Sequence, residues 1–569
     1  MRLQAAFIRG CRKLVALPLV ITLAVATIGL AATSVSAGNA EGVGPQPKGL
    51  GLGSKAALAN ETCAPNGRTS FVYEGAGVFC VNPWPEGKDN GGATAKGVTA
   101  TDVKIVFYVP NAEMLKAAAS AGGRAPTNQG TGEPATYEQV VTDFDKVYQY
   151  AIEHSGTYQT WGRKPVYEFV TATGPDEASQ RADALEVVDK KPFMVVDAAN
   201  AVSGSPVFAA TLASKKIIMV SPSTNLENAT KQRPYRYVAG QDPDAAAYLT
   251  ASFLGTTLSG KKAQFAGDSA MTSETRSFGV VSPTTGFDLD AFKQLLKKNR
   301  ASALVSEVQY DSSDTAKYEE AAPTLVTKLK SAGATSVVLF ADPPMLTALM
   351  AAATKQEYEP EWIITGYLFQ DFDGFARSND QAQMAHAFGI GILPPSYEGS
   401  ASSTGIFQWY WGEDQGNFDQ ATQGAFSVIY AALQYAGPTL TAKNVEKGLY
   451  SVPAVAGASD GTTNFQSGFG KTVGLPYSEF ALLGTDRNLA WWNPDISGGA
   501  NAYPILTGKG KFMYLNDAKR YGYGQFPKQA KFFDESVSVS EIPRSSGFAS
   551  GVVPPENPCT DCPVNGGTG

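Results

Sequence analysis

Six side chains that hydrogen-bond but do not titrate near neutral pH crowd two short stretches of this chain. Asn200 and Ser203 lie in the first, and Ser221, Ser223, Thr224 and Asn225 in the second. Hydroxyls and carboxamides, with the backbone N–H groups of the turns that carry them, can hold a polar or carboxylate-bearing group without reacting with it. Where such residues open helices, the helix dipole adds about 0.3–2 kcal/mol of attraction for an anion. The same residue types also serve as plain helix caps, so each taken alone fits either role. Their concentration in two neighbouring turns favours binding.

Reactive constellations are missing. His154 and His386 are the two histidines, far apart in the chain and read as structural residues. Gly457-Ala458-Ser459-Asp460-Gly461 matches a nucleophile elbow, but Thr462-Thr463-Asn464 follows instead of a helix, and no histidine lies beyond His386. No Walker A or zinc spacing occurs, so neither metal nor cofactor is expected and the chain is not read as an enzyme. Tyr367 and the Trp409-Tyr410-Trp411 run either stack a ligand or fill a core.

The elements that must position these residues alternate. Phe193–Val196 and Ile217–Val220 are short apolar runs rich in strand formers, with a helix expected between them over Ser205–Ser214. That is one βαβ unit, and uninterrupted apolar strands imply a parallel sheet covered on both faces. Both polar turns then fall at the carboxyl ends of strands, the edge where open α/β sheets bind ligands. Upstream, strands are expected over Val103–Val109 and Val166–Val170, and helices over Glu138–His154 and Asp176–Asp189. Residues 110–134 read as a long loop, of the kind that forms lids or insertions.

A second series repeats the alternation. Helices are expected over Pro243–Leu254, Leu289–Lys298, Ala316–Ala332 and Met345–Ala353. Strands are expected over Ala263–Ala266, Ala303–Val308, Ser336–Phe340 and Glu361–Thr365. The strand at Ser336–Phe340 delivers Asp342, and the one at Glu361–Thr365 delivers Tyr367. The chain then recrosses through His386–Leu393 and a helix over Ala421–Ala436. Two series of strand–helix pairs describe two α/β lobes.

The 569 residues carry a formal charge of −7. Arg2, Arg9, Arg12 and Lys13 precede an apolar stretch ending in Val35-Ser36-Ala37, a signal-peptide pattern, with an uncleaved anchor as its rival. Loss of residues 1–37 removes four cations and no acid, leaving −11. Such an acidic chain without a basic stripe is a poor nucleic-acid or anionic-membrane binder. Cys63 with Cys80, and Cys559 with Cys562, are expected to form local disulfides in an exported protein, with a redox-active or metal-binding pair as the alternative for Cys559 and Cys562.

The chain resembles the type I periplasmic binding proteins, in the leucine/isoleucine/valine-binding branch of ABC-transporter substrate-binding proteins. The carriers are Gly97–Ile105, Val195–Ser205, Ile217–Thr224, Val337–Phe340 and Ile363–Gly366, within residues 97–530. The resemblance implies two Rossmann-like lobes with parallel central sheets, joined by three hinge crossings and closing on a small-molecule solute. The implied first-lobe contacts are Asn200, Ala201, Val202 and Ser203, with Ser223, Thr224 and Asn225; Asp342 and Tyr367 are the second-lobe candidates. Val202 cannot donate a side-chain hydrogen bond, and the position of the ammonium-pairing acid falls near Tyr367 or Leu368, neither of them acidic. Asp342 or Asp371 would have to substitute.

The implied organisation is a signal peptide over 1–37 and a flexible segment with the cysteine loop over 38–97. Lobe 1 takes 98–240 with about 390–450, and lobe 2 takes 241–389 with about 451–530. A disordered tail takes 531–569. The implied role is delivery of an amino acid, an amide or an aromatic acid-like solute to a membrane ABC permease by an exported monomer. A ligand-sensing ectodomain on the same fold is the alternative, and an enzyme a more distant one.

Overall fold

The computed structural model describes residues 45–542, with gaps of which the longer are 70–77, 121–134, 398–419, 458–465, 476–483 and 498–507. Its first sheet holds β1 (Asp102–Val109), β2 (Lys164–Thr171), β3 (Met194–Asp197), β4 (Ile218–Ser221) and β5 (Arg236–Val238). The order is β2-β1-β3-β4-β5, every pair parallel. Alternate residues of each strand enter opposite cores, as a pleated strand dictates. Ile105, Phe107, Met194, Val196 and Val220 meet the helices Tyr137–Ser155 and Gln420–Tyr435. Val106, Tyr108, Val195 and Met219 meet the helices Glu177–Asp189 and Pro206–Ser214.

The second sheet adds β6 (Phe278–Pro283), β7 (Leu304–Tyr310), β8 (Ser336–Leu339), β9 (Glu361–Ile364) and β10 (Ala387–Gly391). After β11 (Ser396–Tyr397), which lies outside it, come β12 (Asn488–Ser497), β13 (Lys509–Leu515) and β14 (Ser538–Val539). A last short strand, β15 (Glu541–Ile542), pairs with β11. The run β7-β6-β8-β9-β10 is parallel, whereas β12, β13 and β14 are antiparallel additions. The expectation of two parallel sheets is therefore corrected: the second is mixed, because β12 and β13 return against β10 as a meander rather than through a helix.

The position expected for a strand at Ala263–Ala266 is a turn, and β6 occupies that slot in the sheet. Gly279 hides this strand in the sequence. A Cβ there would come 2.5 Å from Leu329 Cδ2 on the covering helix Tyr318–Ser331 and 3.1 Å from the Ala334 side chain, so glycine lets the strand and its cover approach closely.

The chain passes between the sheets three times. It leaves β5 for the helix Pro243–Phe253, leaves β10 for the helix Gln420–Tyr435, and returns from the helix Ala442–Leu449 into β12. Both helices of that return pack on the first sheet through Phe426, Ile429, Val445 and Leu449.

Two expectations of flexibility and one of a long loop differ from the structure. The segment over 38–97 is packed where it is described: Leu50, Leu52 and Phe79 enter the first core, and the Phe79 N–H donates to the Tyr435 hydroxyl at 2.9 Å. A disulfide joins Cys63 to Cys80, closing a loop of a size worth about 3 kcal/mol. Residues 531–542, the described part of the expected tail, are packed: Phe532 is buried against Phe253, Phe265 and Phe388, and β14 extends the second sheet. The loop over 110–134 opens with a helix, Ala112–Ser120, whose Met114 N–H is capped by Asn111 at 2.9 Å. Residues 1–44, with the expected signal peptide, and Cys559 and Cys562 lie outside the described residues.

Candidate functional site

The parallel part of each sheet has the same order. β2-β1-β3-β4-β5 and β7-β6-β8-β9-β10 both place the strand that comes first in the chain second in the sheet, so the chain reverses direction across the sheet at β1/β3 and at β6/β8. Helices leave to opposite faces at these points, opening a crevice beyond the strand ends. The residues carried there are Asn111 and Asp197 in the first sheet, and Ser282 and Asp342 in the second.

Around the first crevice, Asp197 ends β3 and accepts from the Ser205 N–H at 2.6 Å and the Ser205 hydroxyl at 3.2 Å. Burial pushes its carboxyl up to about 6, against the pull of the Ser205 N–H and of Arg236. Burial likewise holds the Arg236 guanidinium down to about 10. The Val207 and Phe208 N–H groups, in the first turn of the helix Pro206–Ser214, donate to Gln180 Oε1 at 3.1 and 3.3 Å. This helix end is therefore closed to an external carboxylate, and the expectation of open N–H groups there is corrected. The end of β4 differs. Ser221 Oγ and Thr224 Oγ1 are both buried and have no hydrogen-bond partner among the described residues. A buried hydroxyl left unpaired costs about 1–3 kcal/mol, a cost that a ligand would relieve.

Around the second crevice, Ser282 Oγ at the end of β6 is in the same condition, buried without a partner among the described residues. Asp342 caps the helix Pro343–Lys355, accepting the Met345 N–H at 3.0 Å on Oδ1. Its Oδ2 accepts from the hydroxyls of Tyr310 at 2.7 Å and Tyr318 at 2.9 Å. Burial first, and then the Asp342 charge, push both phenols up, so they remain donors. Tyr367 closes the aromatic side, 6.0 Å from Phe340 and 6.5 Å from Phe287 between ring centroids, with Phe287 and Phe340 4.2 Å apart. The turn that carries it is strained: Leu368 and Phe369 follow Gly366 with φ of 48° and 60°.

Between the sheets, the second and third crossings are tied by charge. Arg520 Nε donates to Asp486 at 2.9 Å and its Nη2 to the Ile392 carbonyl at 2.9 Å, with both ionic side chains fully buried. Arg487 Nη1 donates to the Gly484 carbonyl and, at 2.8 Å, to that of Asp486. Asp371 accepts the Leu393 N–H at 2.6 Å and is pushed up by burial.

Of the residues expected to bind ligand, Thr224, Asp342 and Tyr367 are described, each just past the end of a parallel strand, β4, β8 and β9 in turn. Asn200, Ala201, Val202, Ser203, Ser223 and Asn225 lie outside the described residues, as do Trp409-Tyr410-Trp411. Sequence reasoning missed Ser282. A signal for it exists: Val220-Ser221-Pro222-Ser223-Thr224 recurs as Val281-Ser282-Pro283-Thr284-Thr285, and both serines carry a buried hydroxyl without a partner among the described residues.

No group of three or more His, Cys, Asp or Glu side chains suited to a metal occurs among the described residues, and none of their helices is long and apolar enough to cross a membrane. No family model matches the chain, and no curated protein matches it. Among solved structures it is similar to a fatty acid ABC transporter substrate-binding protein from Thermomonospora curvata, at 15% identity and TM-score 0.45, covering 76% of this chain and 98% of that one. It is also similar to an R. palustris ABC transporter solute-binding protein in complex with 4-hydroxybenzoate, at 11% identity and TM-score 0.43, covering 74% and 98%. A third is a periplasmic binding protein type 1 from Bordetella pertussis Tohama I, at 10% identity and TM-score 0.41, covering 61% and 87%.

Proposed function

We propose that the protein is an exported solute-binding protein that captures a small polar or amphipathic molecule between its two α/β halves and passes it to a membrane ABC permease. The division into a lobe of 98–240 with about 390–450, and a lobe of 241–389 with about 451–530, belongs to this reading. So do the monomeric state, export, and the binding roles of Asn200, Ala201, Val202, Ser203, Ser223, Thr224, Asn225, Asp342 and Tyr367.

One observation supports the reading: Ser221, Thr224 and Ser282 hold buried hydroxyls without partners among the described residues, at the carboxyl edges of the parallel strands of both sheets. A folded chain tolerates such groups where an outside molecule completes them. The function needs a grip without bond making, and a dissociation constant near micromolar corresponds to about −8 kcal/mol. Three crossings that join two separately cored sheets supply the means of closure.

Thermal unfolding and titration calorimetry across amino acids, amides and aromatic or aliphatic acids test this, using protein stripped of ligand by partial unfolding and refolding. A bound solute at 100 times its dissociation constant is expected to stabilise the protein by about 2.7 kcal/mol. A flat response across all three classes would overturn the proposal.

A further inference from the structure

We propose that Asp371 is a proton-operated latch on the chain crossings: with a proton on Oδ1 it holds Leu393, where the chain leaves β10, and on losing that proton it lets the crossing go. The latch is a property of the fold and lies beyond the solute-binding reading, which its failure would leave standing.

Leu393 lies two residues past β10 and begins the second crossing. Side chains hold both of its backbone groups. Its N–H donates to Asp371 Oδ2 at 2.6 Å, and its carbonyl accepts from Asn488 Nδ2 at 2.7 Å. Asn488 opens β12, where the third crossing ends, and is paired across the sheet with Gly391. Both side chains lie against that glycine: a Cβ there would come 2.6 Å from Asn488 Oδ1 and 2.7 Å from Asp371 Oδ2. One cluster thus joins the start of the second crossing to the end of the third.

The grip leaves two oxygens over. Asp371 Oδ1 and Asn488 Oδ1 are buried without a hydrogen-bond partner among the described residues, on residues at most 1% exposed. Turning the carboxamide over would not help, because Nδ2 is needed by the Leu393 carbonyl. Two acceptors on side chains that meet at one glycine call for a donor, and an ionised carboxylate has none to give. Its charge would also be buried without an ion pair among the described residues. Arg520 donates to Asp486 and to the Ile392 carbonyl, and Arg487 to the carbonyls of Thr365, Gly484 and Asp486. A proton on Asp371 Oδ1 removes the charge, turns that oxygen into a donor and leaves Oδ2 to the Leu393 N–H.

The groups around the carboxyl decide when it ionises. Burial pushes it up most; the Leu393 N–H and the charges of Arg487 and Arg520 pull back, and it stays above the ordinary carboxylate range. Asp373, two residues on, is pushed up to about 6, chiefly by burial and in small part by the Asp371 charge. Tyr514 is pushed up by burial and then by both acids, and Asp486 is paired with Arg520. The folded chain therefore keeps the Asp371 proton to a higher pH than an exposed carboxyl does, so the latch is set at low pH and lost as pH rises.

Hydrogen exchange of the full chain, read by mass spectrometry with fragmentation to the residue, tests this. Leu393 carries the last exchangeable backbone N–H before Pro394 and Pro395, which isolates its signal. Between about pH 5 and 9 its protection, corrected for the unstructured rate and compared with β8, is expected to fall at least about tenfold. Asp371→Asn keeps an oxygen for the Leu393 N–H and cannot ionise, so protection is expected to stay high and flat over the same range. Asp373→Asn is expected to keep the fall. Wild-type protection that is flat, or that rises with pH as for an ionised Asp371 held by the arginines, would overturn the inference. So would a fall that survives Asp371→Asn or vanishes in Asp373→Asn. If Asp371→Asn does not fold, the wild-type sign and the Asp373→Asn profile decide.

Discussion

Ser221, Thr224 and Ser282 each set folding against function. In the ligand-free protein their hydroxyls are buried without a described partner. Replacing one by an apolar group of similar shape removes an unsatisfied polar atom, which is neutral or stabilising. Thr224→Val and Ser282→Ala are therefore expected to raise ligand-free stability by up to about 1 kcal/mol and to weaken solute binding about fivefold, one modest hydrogen bond. Denaturant unfolding and calorimetry on the same samples check both signs. A loss of stability with unchanged affinity would return these residues to plain structural roles.

Asp197 and Asp373 give a pH test at the same scale. Burial pushes each carboxyl up to about 6, above the ordinary range near 4. The folded chain then binds more protons than the unfolded chain between about pH 4 and 6, so these two groups make stability fall as pH rises through that window. Asp373→Asn is expected to flatten that slope by up to about 3 kcal/mol over the window, measured as unfolding free energy against pH.

Among the elements, the C-terminal segment departs furthest from expectation. Phe532 is 4% exposed and touches the rings of Phe253, Phe265 and Phe388. Phe532→Ala is expected to cost about 3–5 kcal/mol, against almost nothing for a residue of a disordered tail. Urea unfolding distinguishes the two. This segment was illegible in the sequence because its contacts are long-range: β14 is two residues long and takes its place only by pairing with Tyr514 and Leu515. β6 was hidden by Gly279, chosen for the close approach of Leu329 rather than for strand propensity. The strands β1, β3, β4, β8 and β9 were legible because each is an apolar run buried on both faces. The positions of Thr224, Asp342 and Tyr367 past the ends of β4, β8 and β9 followed from counting beyond those strands. The Asp342 partners did not, since Tyr310 lies 32 residues away and Tyr318 lies 24.

At the scale of the whole molecule, the two sheets with their own cores are tied where the chain crosses between them. Arg520 and Asp486 are fully buried and bind both returning segments through Ile392 and Gln466. Arg520→Met leaves Asp486 without its guanidinium and is expected to cost about 3–5 kcal/mol in denaturant unfolding. The proposed function requires that the halves hold a molecule and release it unchanged. Native mass spectrometry of the purified full chain, before and after denaturing extraction, tests this most directly. A mass increment of one solute per chain is expected, recovered chemically intact and diminished by Thr224→Val. A solute converted to product, or no adduct from any source together with no response to an added solute, would contradict it.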